Sequence, residues 1–350
     1  MSIERRNSRR VLVGNVPVGG GAPISVQSML SVPSTDIIGS VEQAVELENA
    51  GCEIVRAAIP NMAAIALIPA IKEKISIPLV ADIHFDYKLA LESVAAGVDK
   101  VRINPGNIGD DSRVKAVVDA CRAKNIPIRI GVNTGSLEKN ILAKYGEPTA
   151  EALVESALYH VSLLEKFDFE DILISLKASS VDMTIKAYEL IAEKCNYPLH
   201  LGVTEAGTAH MGLVKSAIGI GSLLQHGIGD TIRVSLTANP TEEISAANDI
   251  LKALNLKKGA KLISCPTCGR TRIDLISLAQ SVEQALADCE KDITVAVMGC
   301  AVNGPGEARE ADIGIAGGIG SGLIFKKGEI IKKVPESEIL GELLEEINRL

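Results

Sequence analysis

The chain has no tryptophan and only four phenylalanines and five tyrosines among its 350 residues. A core built around large rings is excluded. The core must come from Ile, Val, Leu and Ala, as in α/β proteins with buried parallel strands. Apolar runs of membrane-spanning length are absent, so no transmembrane helix is expected. The basic start, Arg5-Arg6-Asn7-Ser8-Arg9-Arg10, is followed by no apolar signal segment. Export is therefore not expected, and a cytoplasmic location is. Excess positive charge is also missing: the formal net charge is −8, which argues against a general nucleic-acid binder. The seven cysteines are odd in number, and four of them are scattered. That pattern fits a reducing compartment better than a disulfide framework.

What is present is a repeat. A short β-branched run followed by an amphipathic stretch recurs through the first two-thirds of the chain, the pattern of βα units. The predicted strands are 24–28, 53–59, 78–85, 100–104, 127–133, 171–178, 198–205 and 231–236. Helix ends are legible between them. Ser40-x-x-Gln43 reads as a capping box and Gly51 as a stop, Asp86 as a cap for a helix ending before Gly97, and Pro148 and Pro240 as first-turn residues. Eight such units predict a closed (β/α)8 TIM barrel, assigned to residues 1–258. Residues 10–18, with Gly14-Asn15 between valine pairs, predict a small hairpin at the barrel floor. The repeat stops at Lys257-Lys258-Gly259. Residues 259–350 then read as a small α+β domain: a cysteine loop, a helix, a strand, a Gly-rich loop, a strand, a hairpin and a final helix.

A barrel of this type carries its site at the C-terminal ends of its strands. Those ends here hold Arg56, then Asp82 and His84, Arg102 and Asn104, Arg129 and Asn133, Ser175 and Lys177, then His200, Thr204 and Glu205, and finally Arg233 and Ser235. Inward barrel positions are ordinarily Val, Ile or Leu. Cations buried there need partners, and the acids Asp82 and Glu205 are fewer than the bases. A polyanionic ligand accounts for the set, and paired arginine donors suit a diphosphate better than a single carboxylate. The bland alternative is a group of structural salt bridges. The glycines at Gly219-Ile-Gly221 and Gly317–Gly322 are compatible with phosphate binding, and equally with close packing or a turn.

The last quarter carries Cys265-Pro-Thr-Cys268, Cys300 and Asn303-Gly-Pro-Gly-Glu307. A C-x-x-C pair can grip one metal centre, and Cys300 closes an apolar run that predicts a buried strand. Three thiolates are one short of the usual four for zinc or an iron–sulfur cluster. Cys289 and Glu307 are the rivals for the fourth position. Cys52, Cys121 and Cys195 fall in or beside barrel elements and read as packing residues. His160 and His226 fall in predicted helices and read as ordinary surface or core residues.

Six motifs together resemble one family: Val80-Ala-Asp-Ile-His-Phe85, Arg102-Ile-Asn-Pro-Gly-Asn107, Arg129-Ile-Gly-Val-Asn133, Gly202-Val-Thr-Glu-Ala-Gly207, Cys265-Pro-Thr-Cys268 and Gly299-Cys-Ala-Val-Asn-Gly-Pro-Gly-Glu307. They are similar to the bacterial 4-hydroxy-3-methylbut-2-enyl diphosphate synthases, iron–sulfur enzymes of non-mevalonate isoprenoid synthesis. The resemblance implies that residues 259–350 hold a [4Fe–4S] cluster, with Cys265, Cys268, Cys300 and Glu307 as its ligands and no separate catalytic metal. It implies 2-C-methyl-D-erythritol 2,4-cyclodiphosphate as substrate, opened and dehydrated with two electrons. Arg56, Arg102, Arg129 and Lys177 are then expected to hold the diphosphate, with Asn133, Ser235, Thr204 and Asn303 as neutral contacts. Asp82, His84 and His200 are expected to orient substrate or relay protons, and Glu205 to donate the proton to the departing hydroxyl. A head-to-tail homodimer is implied. With no flavin or nicotinamide motif, the electrons are expected from a flavodoxin or a ferredoxin. The competing reading is a pterin-binding barrel transferase with a structural zinc tail.

Overall fold

Alternation of apolar residues with period two and period 3.6 builds the fold seen in the computed structural model, which describes residues 3–287, 289, 291–300 and 308–350. The chain divides into two units, Met1–Leu256 and Lys257–Leu350. No helix among the described residues is long and apolar enough to cross a membrane.

The first unit opens with an antiparallel hairpin of β1 (Val11–Val13) and β2 (Val16–Val18). Gly14 turns it at φ +56°. Eight parallel strands follow: β3 (Ser25–Met29), β4 (Ile54–Ala58), β5 (Leu79–Asp82), β6 (Lys100–Ile103), β7 (Ile128–Asn133), β8 (Ile172–Lys177), β9 (His200–Leu201) and β10 (Thr231–Ile232). They pair in the order β8-β7-β6-β5-β4-β3-β10-β9. A parallel bridge between Ile174 and Leu199 joins the two ends and closes the barrel. The eight-strand reading therefore holds. The last two strands are shorter than expected; just past β9, Gly202 runs so close to its neighbour that a Cβ there would lie 2.9 Å from the Arg233 carbonyl oxygen. The chain still runs on between its neighbours, with Arg233 N–H donating to Leu201 O and Thr204 N–H to Ala178 O.

Val11, Val13 and Val18 pack on Ile54, Val80 and Leu173, so the hairpin seals the barrel floor. The basic start of the chain straps the same end. Arg5 and Arg6 pair with buried Asp230 just before β10, and Ser8 donates to it at 2.6 Å. Asp86 caps its helix and Gly97 ends it in the left-handed region, as expected. Pro240 opens its helix. Two expectations fail. The first barrel helix starts at Ile37 with Asp36 as its cap. Ser40 is buried inside that helix, and Gln43 instead accepts the Ser31 N–H at 2.8 Å. Pro148 is not in a first turn: it precedes Thr149, which caps the helix Ala150–Glu165.

The second unit is a five-stranded sheet in the order β11 (Lys261–Ser264), β12 (Thr294–Met298), β13 (Ile313–Gly318), β14 (Ser321–Lys326) and β15 (Glu329–Pro335). The first three strands are parallel and the last two antiparallel. Helices Leu275–Leu286 and Ile339–Asn348 supply Val282, Leu286, Leu343 and Ile347 to its core. Strand β11 was not anticipated, because its half-exposed Lys-Leu-Ile-Ser has no long apolar run. Gly317–Gly322 is a hairpin turn. A Cβ on Gly317 would lie 2.7 Å from Ile273, and one on Gly322 would lie 2.6 Å from Ile339, so packing accounts for both glycines.

Candidate functional site

Side chains alternate along a strand, so the residue two places beyond a floor residue also points inward. Above Ile54, Val80 and Leu173 this rule places Arg56, Asp82 and Ser175. Ladder partners share a face: Val80 pairs with Lys100, Asp82 with Arg102, and Arg102 with Arg129. The interior above the floor is thus polar, where a barrel normally places branched apolar residues.

Asp82 is shared by two arginines. Its Oδ1 lies 3.1 Å from Arg102 Nη1 and its Oδ2 lies 3.6 Å from Arg56 Nε. Burial works against the charged carboxylate, but Arg56 and Arg102 outweigh it and hold Asp82 well below the usual carboxylate range. Burial pushes Arg56 down to about 10, which still leaves it charged. Arg102 Nη2 donates to Gly131 O at 2.9 Å. A Cβ on Gly131 would sit 2.5 Å from Arg102 Nε, so the missing side chain makes room for the guanidinium. Asn104 accepts the Gly131 N–H at 2.9 Å and ties β6 to β7.

Arg129 is 0 % exposed, and its Nε, Nη1 and Nη2 meet no acceptor among the described residues. Burial, Arg56 and Arg102 all disfavour its charge. An arginine stays protonated in proteins, so this layer holds more positive charge than Asp82 alone compensates. Burial, then Arg129, hold His200 neutral, well below its ordinary value. Burial, then Arg56, Arg129 and Arg102, push Lys177 down likewise.

One pocket opens at the strand ends. Arg56, Lys177, His200, Thr204 and Ser235 line it, together with Arg233. Of the other residues expected there, Asp82, Arg102 and Arg129 are buried in the adjoining interior. Half-buried Asn133 ends β7 in register with Lys177. His84 does not share a strand face with Asp82: β5 ends at Asp82, and His84 is exposed and tilted against Phe85. Glu205 is exposed at φ +51° in the loop after β9 and does not line the pocket.

Sequence reasoning missed Glu243. This buried carboxylate holds Arg233 through two contacts at 3.3 Å, and accepts from Ser28 at 2.8 Å and from Leu236 N–H at 3.1 Å. Its signal was there: Glu243, Ala247 and Ile250 repeat at helical spacing on the buried stripe of Pro240–Ala253. Lys100 was missed as well, because it sits at the start of a strand.

In the second unit Cys265 follows β11, and Gly299-Cys300 follows β12, which lies beside it. Cys265 Sγ accepts the Gly299 N–H at 3.1 Å, and Arg272 N–H donates to Gly299 O at 2.9 Å. The Cys265–Arg272 loop therefore folds over the end of β12. Hydrogen bonds from Arg270, backbone first, lower the exposed Cys268 thiol below its ordinary value. All three thiols are free. Among the described residues no group of three or more His, Cys, Asp or Glu is gathered at metal-binding distance. The donor set suits a thiolate-bound centre all the same: free thiols at neighbouring strand ends, one accepting a backbone N–H and one biased toward thiolate. Cys289 is at the other end of the sheet, where Ala260 N–H meets its carbonyl. Four residues of β11 span roughly 13 Å, which removes Cys289 as a ligand beside Cys265. Asn303 and Glu307 lie outside the described residues.

Residues 8–248 match the GcpE TIM-barrel domain, and residues 261–349 match the GcpE protein C-terminal domain. The chain belongs to the GcpE family. A relative named 4-hydroxy-3-methylbut-2-en-1-yl diphosphate synthase (flavodoxin) from Clostridium perfringens is 59% identical, covering 99% of this chain and 100% of its own. One of the same name from Fusobacterium nucleatum is 61% identical, covering 97% and 96%. The resemblance carried by the six motifs is borne out. Among solved structures, a dihydropteroate synthase from Coxiella burnetii superposes with a TM-score of 0.50 at 13% identity, covering 71% of this chain and 98% of its own. That likeness shows the barrel fold alone. The GcpE match takes in both units, including the segment that the pterin reading assigned to a zinc tail.

Proposed function

We propose that this GcpE-family chain reduces 2-C-methyl-D-erythritol 2,4-cyclodiphosphate to 4-hydroxy-3-methylbut-2-enyl diphosphate. Two electrons and two protons enter, the ring carbon–oxygen bond to phosphate breaks, and one oxygen leaves as water. The observation that carries the reading is the buried, acceptor-free guanidinium of Arg129 in a layer whose carboxylate, Asp82, is already shared by Arg56 and Arg102. A diphosphate supplies the missing negative charge.

Arg56, Arg102, Arg129 and Lys177 bind it, and stabilise the charge that grows on the departing phosphate oxygen. Thr204, Ser235 and Asn133 add neutral contacts, as does Asn303. Asp82 fixes the orientation of two of the arginines. His200, held neutral, offers a ring nitrogen to a substrate hydroxyl. Glu205, exposed after β9, is the proposed proton donor to the departing hydroxyl, and His84 is a proposed relay at the rim. Cys265, Cys268, Cys300 and Glu307 would hold a [4Fe–4S] cluster. When bound, that cluster supplies single electrons and a Lewis-acidic iron. The donor of those electrons is a flavodoxin, which the relatives' names support, with ferredoxin as the alternative carrier.

The helix Pro240–Ala253 follows β10 and leads back toward the floor, so the linker leaves the barrel at the end away from the mouth. This supports a head-to-tail homodimer in the cytoplasm, each mouth served by the thiolate unit of the other chain.

Anaerobic reconstitution with iron and sulfide tests the cofactor. A brown protein binding about four irons per chain is expected. A colourless protein holding one tightly bound zinc would overturn the reading.

A further inference from the structure

Lys100 is the one lysine among the described residues that is 0 % exposed, and its Nζ meets no hydrogen-bond partner among them. It opens β6 and pairs in register with Val80, which belongs to the floor. Its side chain therefore starts one layer below Asp82 and Arg102, on the same inward face. The groups that face it are Arg129 on β7, Arg56 on β4 and His200 on β9; Asp82 on β5 and Arg102 on its own strand stand one layer above it, and Lys177 on β8 stands farther toward the mouth, at the pocket. The one carboxylate of that set is taken by Arg56 and Arg102. Arg129, on the next strand and opposite Arg102, is the charge that acts on Lys100 most, and it is itself without an acceptor among the described residues. The floor cluster to which its ladder partner Val80 belongs is apolar: Val11, Val13 and Val18 of the hairpin with Ile54 and Leu173.

A primary amine differs from the guanidinium groups around it in one respect: it can shed its proton, and they cannot. In the empty barrel the least costly state of this cluster is the one in which the amine is neutral. A polyanion in the pocket above changes the balance, because Arg56 and His200 line that pocket and also face Lys100.

We infer that Lys100 is a positioning residue for the anion: neutral in the empty barrel, it takes up one proton when the diphosphate binds and becomes a buried cation beneath it. Burial, then Arg129 and Arg56, push the amine well below its ordinary value, in keeping with this. The sign follows. Binding raises the amine's pKa, so between the free and bound values binding consumes a proton, and affinity falls as pH rises. Arg56, Arg102 and Arg129 stay charged throughout and add no such dependence, whereas Lys177 and His200 at the pocket can add their own, so the Lys100 share is the difference between wild type and Lys100→Met.

The inference rests on the diphosphate reading, and one experiment separates the two. Binding of the cyclic diphosphate to the full-length reconstituted protein, without reductant, is measured by calorimetry in non-phosphate buffers of different ionisation enthalpy. If the wild type does not bind, the diphosphate reading fails and the inference with it. If it binds, Lys100→Met should take up about one proton fewer per site and bind roughly 10–150-fold more weakly. Its empty form should melt higher than the wild type, because a buried unpaired amine has gone. Lys100→Arg should also lose the proton, yet keep the affinity, and melt lower when empty. Equal proton uptake in wild type and Lys100→Met overturns the inference while leaving the diphosphate reading intact. So does a Lys100→Met protein that melts lower and binds normally, which marks a purely structural amine.

Discussion

Asp82 and Arg129 behave oppositely although they stand in one layer. Asp82 compensates two guanidinium groups, so Asp82→Asn leaves both short of a partner. We expect it to destabilise the barrel by about 3–5 kcal/mol, read from denaturant unfolding. Because the folded carboxylate is held below its unfolded value, its contribution is complete above the unfolded pKa and is lost as pH falls through the folded one. Acid unfolding of Asp82→Asn should therefore be less steep than that of the wild type. Arg129 has no hydrogen-bond acceptor to lose among the described residues. Arg129→Met should leave the empty barrel as stable as before or more so, and should weaken diphosphate binding by about 2–5 kcal/mol. A marked drop in melting temperature without a loss of affinity would make Arg129 structural. Period-two alternation made the strand-end cations legible from the sequence. It could not show Glu243, which reaches the mouth from a helix, nor that exposed Glu205 is not the acid that pairs with the bases.

The strands place the site, and the connections after them hold it. His160, read as an ordinary surface or core residue, is buried, and beyond that it joins two of these connections. Its Nδ1 accepts the Gly106 N–H at 3.1 Å, and its Nε2 lies 2.6 Å from Glu138 Oε1. A Cβ at Gly106 would lie 2.8 Å from the imidazole, which explains the glycine. An Nδ1 that accepts a backbone N–H carries no proton, so the ring donates through Nε2. His160→Leu should loosen the loops after β6 and β7 and raise KM with little change in melting temperature. His160→Gln, which offers an acceptor and a donor, should recover most of the loss. If His160→Gln is as impaired as His160→Leu, the tie is not what matters. Helix starts were legible where one side chain sets them, as at Asp86. They were misread at Ser40, because Asp36, four residues earlier, takes the cap first.

At the scale of the whole molecule, the repeat of eight βα units and its end near Lys257 were legible because both follow from apolar periodicity. The closure through Ile174 and Leu199 and the unannounced strand β11 depend on contacts distant in sequence, which no local pattern carries. The proposed head-to-tail arrangement has its own test. Arg56→Met and Cys300→Ser are each expected to be inactive. Mixed in equal amounts under exchange conditions, they should recover about a quarter of wild-type activity, since half the dimers are hybrids with one intact site. Proven exchange with no recovery would mean a site built within one chain.

The most direct measurement is turnover of the cyclic diphosphate by the reconstituted protein with reduced flavodoxin, under strict exclusion of oxygen. The account predicts one 4-hydroxy-3-methylbut-2-enyl diphosphate for every two electrons consumed. It also predicts that Arg129→Met and Cys300→Ser abolish turnover separately, the first with its iron retained and the second without it. A protein with its full iron content that binds the cyclic diphosphate but releases no linear product, with either flavodoxin or ferredoxin as donor, would contradict it.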